Sequence, residues 1–355
     1  MIAFAKSWLV FGLLLAFTFG VTGYFRSGPT ERRVNLYVWS SYLGPDTLRK
    51  FTERTGIRVD YDLYDANETV RTKLQAGNAE YDVVVPSDYM VEILAKNGWL
   101  AQIDRSKLKN LGNVDPQYNG LKFDPQGKWA VPFVAGTTAI GYRKDRFPQG
   151  VDSWKALWDK ASEQRILMLD DTRECFGAAL KSLGYSLNTT DPARLREARD
   201  LLIRQKPLIK EYNSSNFQDL LISGEAWIAQ GYNGQIAKAS REYPAIAYVI
   251  PKEGATRSLD CLCIPAQAPH KDEAHLLIDY LLEPDVAAEI CLFTHYTTAN
   301  RAAKAHLPPE VTGDPMVFPA AAAMAKCEYM ENIPDAMPLL DKYWTEVKAS
   351  NASAR

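Results

Sequence analysis

Eight side chains of related chemistry stand at or near the ends of expected strands: Trp39, Tyr42, Tyr89, Asp171, Glu174, Tyr232, Asp260 and Tyr296. Aromatic rings and carboxylates in such places hold a ligand through ring faces and hydrogen-bonded charge. They do not form a nucleophile–base pair. The sequence contains no P-loop, no GxGxxG after a strand, no HExxH and no GxSxG. His270, His275, His295 and His306 come late and lack metal-ligand spacing. Binding is therefore expected rather than catalysis, with no cofactor or metal. Each candidate also has a plainer role. Asp171 and Glu174 have the spacing of a helix N-cap and its reciprocal partner. Asp260 shares strand parity with Leu262 and Ile264, so it either points where an apolar side chain belongs or begins its strand in solvent. Trp39 and Tyr42 could cap a core.

The elements that must position these residues follow a simple pattern. Residues 34–38 read as a strand, and Pro45 suits the first turn of a helix because its missing N–H has no partner there. Gly56 stops that helix, and residues 57–61 form a second strand. This is a βαβ unit, so the fold class is α/β with parallel pairing. Ligands of such sheets bind beyond the carboxyl ends of strands, where Trp39, Ser40, Ser41 and Tyr42 lie. A helix from residue 67, a buried strand at 81–86 and a helix at 90–96 follow, with Ser87, Asp88 and Tyr89 again at a strand end. Residues 129–133 and 138–142 read as separate extended segments. Beyond 153, helices are expected at 154–161, 172–183, 192–204, 217–223, 235–243, 272–282 and 339–347. Strands are expected at 166–169, 226–231, 246–251 and 259–265, with 308–338 irregular around one helix.

A length of 355 residues suggests two domains, and 46% hydrophobic with 24% charged residues is ordinary for a globular chain. The net charge of −2 and the lack of a basic block leave nucleic acid without support as a partner. Lys6, an apolar run at 8–19 and the small residues Val21, Thr22 and Gly23 form a secretory signal pattern over residues 1–23. An uncleaved anchor over 7–25 is the alternative. Of five cysteines, one or two pairs could form disulfides outside the cytoplasm, while Cys261 and Cys263 read as small buried residues.

The segments WSSYLGPDTLRKFTERTGI, YDANETVRTKLQAGNAEYDVVVPSDY, VPFVAGTTAIGY, LMLDDTRECF, LGYSLNTTDP and VIPKEGATRSLDCLCIPA together resemble the bacterial periplasmic spermidine- and putrescine-binding proteins. Those proteins are the substrate-capturing subunits of polyamine ABC importers, and the likeness runs from Val34 to about Lys348. It implies a two-lobed periplasmic binding protein of type II-like form, with a hinge and a ligand cleft between the lobes. One lobe would comprise 31–138 with 259–303, and the other 139–258 with 304–350. It further implies a monomer that is not an enzyme, a polyamine ligand and a membrane permease as partner. A periplasmic sensor that signals through a membrane receptor is the alternative use of the same cleft.

Carried over residue by residue, the family's ligand positions fall on Trp39, Ser40, Ser41, Tyr42, Ser87, Tyr89, Asp171, Glu174, Tyr232, Ser258, Asp260 and Tyr296. These residue types suit a linear polycation. Aromatic faces attract ammonium groups by about 0.5–2 kcal/mol each and cover methylene chains. A carboxylate bonded to an ammonium adds about 1.5–3 kcal/mol. The helix after Pro45 turns its positive end toward the same loop, so Asp171, Glu174 and Asp260 must outweigh it. Four positions depart from the usual pattern. Tryptophan is usual where Ser258 and Tyr232 stand, an acid is common at Ser41, and a glutamine of spermidine-selective members falls near Met330.

Overall fold

The computed structural model describes residues 32–40, 42–77 and 80–350. The expected signal segment and Ser41 lie outside them. The opening strand β1 (Arg33–Trp39) pairs in parallel with β2 (Arg58–Tyr64) and β3 (Val83–Val84). Helix α1 (Pro45–Thr55) links the first two, with Pro45 at its start and Gly56 in the left-handed region at φ 68°. Helices α2 (Asn67–Gln75) and α3 (Asp88–Lys96) flank β3. The ladder of β3 is shorter than the sequence suggests, because Pro86 has no N–H with which to extend it.

The two expected extended segments after residue 128 are one strand, β4 (Ala130–Arg143). Its first half pairs antiparallel with β9 (Thr256–Cys263), from Ala130 opposite Cys263 to Thr138 opposite Thr256. Its second half pairs with β7 (Ile228–Tyr232) and β8 (Ile246–Val249). Beyond β7 lie β5 (Ile166–Met168) and β6 (Ile209–Tyr212), which pair in parallel. The sheet order is therefore β2-β1-β3-β9-β4-β7-β5-β6. Two short strands attach beside it, β10 (Thr297–Thr298) on β4 and β11 (Glu328–Tyr329) on β9.

Apolar side chains sort onto both faces by strand parity. Leu262 and Ile264 join Val34, Leu36, Val38, Phe51 and Leu277 in one cluster. Leu259, Cys261 and Cys263 join Val70, Met90, Val91 and Leu94 on the opposite face. Further along β4, Ala139 and Ile140 pack with Trp154, Ile166, Phe176 and Leu180. The strand thus leaves one core and enters another near Gly136–Thr138. Helix α4 (Thr172–Ser182) and helix α5 (Pro192–Gln205) cover the second core, and α6 (Phe217–Ser223) and α7 (Asn233–Glu242) complete it. Small residues of α7 meet those of α9 (Pro284–Thr294), which follows α8 (Lys271–Leu281).

Several expectations need correction. The 154–161 segment forms two 3-10 turns, Trp154–Trp158 and Lys160–Ser162, each capped by an upstream Ser or Asp side chain. The sequence reading missed β6 and α9, since IKEY and a helix starting at Pro284 directly after α8 carry weak periodicity. Residues 308–338 hold two four-residue helices as well as β11. All five cysteines are free thiols, and four of them are buried. Among the described residues no helix is long and apolar enough to cross a membrane.

Candidate functional site

The site starts where β1 ends. Ser40 N–H donates to Tyr64 O at 3.0 Å, and Tyr42 N–H to Trp39 O at 3.3 Å, which folds the loop back before α1. Trp39 leans on Tyr64 with ring centroids 4.6 Å apart and on Tyr42 at 6.4 Å. Tyr42 leans in turn on Tyr296 at 5.8 Å. The indole N–H of Trp39 is buried and has no acceptor among the described residues.

Asp260 is 5% exposed and settles the open question of its direction: it points inward. The Tyr42 hydroxyl donates to Oδ2, and Ser87 Oγ donates to Oδ1 at 2.6 Å. Burial raises its pKa to about 6 against the opposing effect of those two hydroxyls. Ser87 is itself fixed by Asn67, whose Nδ2 donates to Ser87 Oγ at 3.1 Å and whose Oδ1 accepts from Ser87 N–H at 3.0 Å. The neighbouring Asp88 is 1% exposed, accepts from Leu259 N–H at 3.0 Å and Tyr89 N–H at 2.6 Å, and is pushed up to about 8 by burial.

On α4, Asp171 caps the helix by accepting from Glu174 N–H at 2.9 Å. The reciprocal half of that motif is absent. Glu174 turns away to accept from Thr138 Oγ1 at 2.8 Å and Thr256 Oγ1 at 2.9 Å, one hydroxyl from β4 and one from β9. Burial first, and then the charge of Asp171, raises Glu174 to about 8. Burial and the charge of Glu68 raise Asp171 as well. Arg173, between them in sequence, spends its guanidinium on Glu331 O at 3.0 Å and Asn188 Oδ1 at 3.1 Å.

The remaining aromatics feel the charge of these carboxylates. Tyr232 ends β7 at the start of α7, and its hydroxyl is pushed up by burial and by Asp171, Glu174, Tyr296 and Tyr89. Tyr89 is pushed up by burial and by Glu68 and Asp171. Tyr296 is raised by burial and by Asp260. Ser258 lies opposite Gly136, where an added Cβ would come within 3.1 Å of Ser258 Oγ and 3.3 Å of the Tyr296 ring. Met330 is 9% exposed.

Thus Trp39, Tyr42, Ser87, Tyr89, Asp171, Glu174, Tyr232, Ser258, Asp260 and Tyr296 share one connected neighbourhood, and Ser40 stands at its edge in the β1 loop. Asn67, Thr138 and Thr256 escaped the sequence reading as site residues, and Asp88 entered it only as the strand-end neighbour of Ser87. Thr138 and Thr256 lie along the crossing strands, and Asn67 reads only as a helix start. The cleft offers hydroxyls, carboxylates and ring faces together, a surface complementary to an elongated cation.

Residues 46–320 match the sequence profile of the family described as bacterial extracellular solute-binding protein. The chain is 39% identical over 315 residues to the spermidine/putrescine-binding periplasmic protein of Salmonella typhimurium, covering 88% of this chain and 90% of that one. It is 34% identical over 376 residues to the putrescine-binding periplasmic protein PotF of Escherichia coli, covering 98% and 100%. Among solved structures, a putative spermidine/putrescine ABC transporter from Listeria monocytogenes superposes with a TM-score of 0.86 at 33% identity, covering 90% of this chain and 100% of that one. The spermidine/putrescine ABC transporter substrate-binding protein PotD of Streptococcus pneumoniae gives a TM-score of 0.81 at 30% identity, covering 90% and 99%.

Proposed function

The chain belongs to the family of bacterial extracellular solute-binding proteins, and from that premise we propose that it binds a polyamine, putrescine or spermidine, in the periplasm and delivers it to the membrane permease of an ABC importer. The observation that carries this reading is Asp260. It is a buried carboxylate held by two hydroxyls beside the Tyr42 and Tyr296 rings, and among the described residues no lysine or arginine is bonded to it. Burying a charge is costly unless it is paired, and an ammonium supplies the pair. Asp171 and Glu174 receive the other end of the ligand, while Trp39, Tyr89, Tyr232 and Tyr296 cover its methylenes. A few such contacts reach the about −8 kcal/mol of a micromolar complex.

Trp39, Ser40, Tyr42, Ser87, Tyr89, Asp260 and Tyr296 belong to one wall on this reading, and Asp171, Glu174, Tyr232 and Ser258 to the facing one. The lobes are residues 31–138 with 259–303 and residues 139–258 with 304–350, hinged on β4 and β9. The protein acts as a monomer. The relatives' names favour import over signalling to a receptor. The family is one of binding proteins rather than enzymes. Titration calorimetry on the mature protein tests the reading. Putrescine or spermidine should bind while amino acids and sugars give no heat, and the reverse pattern overturns it.

A further inference from the structure

The hydrogen bonds around Ser87 fix the direction in which its hydroxyl proton points. The Ser87 backbone N–H can only donate, so the Asn67 atom 3.0 Å from it is the amide oxygen. The other end of that amide, 3.1 Å from Ser87 Oγ, is therefore Nδ2, which can only donate. Ser87 Oγ thus accepts from Asn67, and its own proton goes to Asp260 Oδ1 at 2.6 Å. The serine backbone is held in this arrangement from its other side too, because its carbonyl receives Met90 N–H at 2.9 Å and Val91 N–H at 3.0 Å from the first turn of α3. Asn67, Ser87 and Asp260 are all buried, and the Tyr42 hydroxyl donates to the second carboxylate oxygen. Both oxygens of Asp260 therefore receive committed donors, an arrangement that favours the charged form.

Resting on the polyamine reading above, we infer that Asn67 is a positioning residue for ligand binding, which acts through the Ser87 hydroxyl to keep Asp260 an acceptor on both oxygens, ready for an ammonium group. Attraction and relay give opposite outcomes for one substitution. Asn67→Asp keeps the size of the side chain and an oxygen for the Ser87 N–H, but it puts a second acceptor where Nδ2 stood. The Ser87 proton then turns to residue 67, and Asp260 loses that donor. By attraction alone, an acid added near a cation site would tighten binding. An acid in the first turn also suits the start of α2.

The test is titration calorimetry with putrescine and with spermidine on the mature wild-type protein, N67D, S87A and the double variant. It is run at pH 8, where Asp260, raised to about 6, is ionised. N67D should weaken at least one of the two polyamines by about fivefold or more, the effect of losing a hydrogen bond to a charged group. In the S87A background the same substitution should cost less than about twofold or even tighten binding, because the hydroxyl it acts through is gone. A smaller loss in N67D for both ligands, or tighter binding, overturns the inference, and so does an equal loss in both backgrounds. Should N67D not fold, N67A is read through the same cycle. Its loss should appear only when Ser87 is present, and a loss that persists in S87A overturns the inference. A wild type that binds neither polyamine overturns the functional reading, and this inference with it.

Discussion

Ser87 and Asp260 face each other in an isolated antiparallel bridge, and Ser87 Oγ donates to Asp260 Oδ1 at 2.6 Å. The bridge joins the segment after β3 to β9, the strand that pairs along the first half of β4. The carboxylate is therefore held in place before any ligand arrives, which lowers the ordering cost of binding.

Asp260→Asn should cost at least tenfold in polyamine affinity, about 1.4 kcal/mol. The amide keeps the shape and loses the charge. Calorimetry at constant ionic strength checks this, and an unchanged affinity returns Asp260 to a structural role. Tyr42→Phe should cost less, because Ser87 still holds the other oxygen.

Gly234→Ala should impair ligand binding without unfolding the protein. A Cβ there would meet the Tyr296 ring at 2.6 Å, so the aromatic wall must move away from α7. Affinity should fall several-fold while circular dichroism stays native. A variant that binds as well as wild type shows that the ring yields freely.

Glu174 at about 8 and Asp260 at about 6 both lie above the ordinary carboxylate range, because burial disfavours their charged forms. The folded protein thus holds protons that the unfolded chain releases near pH 4. These groups stabilise the ligand-free fold at low pH, and the contribution is lost as pH rises toward 8. A bound ammonium favours the ionised forms, so binding releases protons and polyamine affinity should increase from pH 6 to 8. Calorimetry in buffers of different ionisation enthalpy reads that release directly. Glu174→Gln should flatten the upper part of the pH dependence.

Ser258→Trp should change the order of preference among polyamines of different length. Serine leaves β9 without a ring opposite Gly136, and an indole there adds a wall. A competition series from putrescine to spermidine checks this, and an unchanged order removes Ser258 as a determinant of selectivity.

Much of this architecture can be read from the sequence. The opening βαβ unit declares itself through Pro45, Gly56 and alternating apolar runs, and strand parity places Asp260 with Leu262 and Ile264. The long β4 was harder to read, because Gly136–Thr138 interrupts the apolar pattern where the strand changes from one core to the next. Glu174 shows the limit of local spacing. Its position relative to Asp171 mimics a capping box, while two threonines distant in sequence decide where its carboxylate goes. Asn67 looks like any helix start, and only its tertiary contact with Ser87 sets it apart.

The most direct measurement is a crystal structure of the mature protein grown with putrescine or spermidine. The account predicts an ammonium nitrogen within about 2.7–3.2 Å of an Asp260 oxygen, with the chain running between the aromatic rings toward Asp171 and Glu174. A ligand bound elsewhere, or one lying in the cleft with its ammonium groups turned from all three carboxylates, contradicts it.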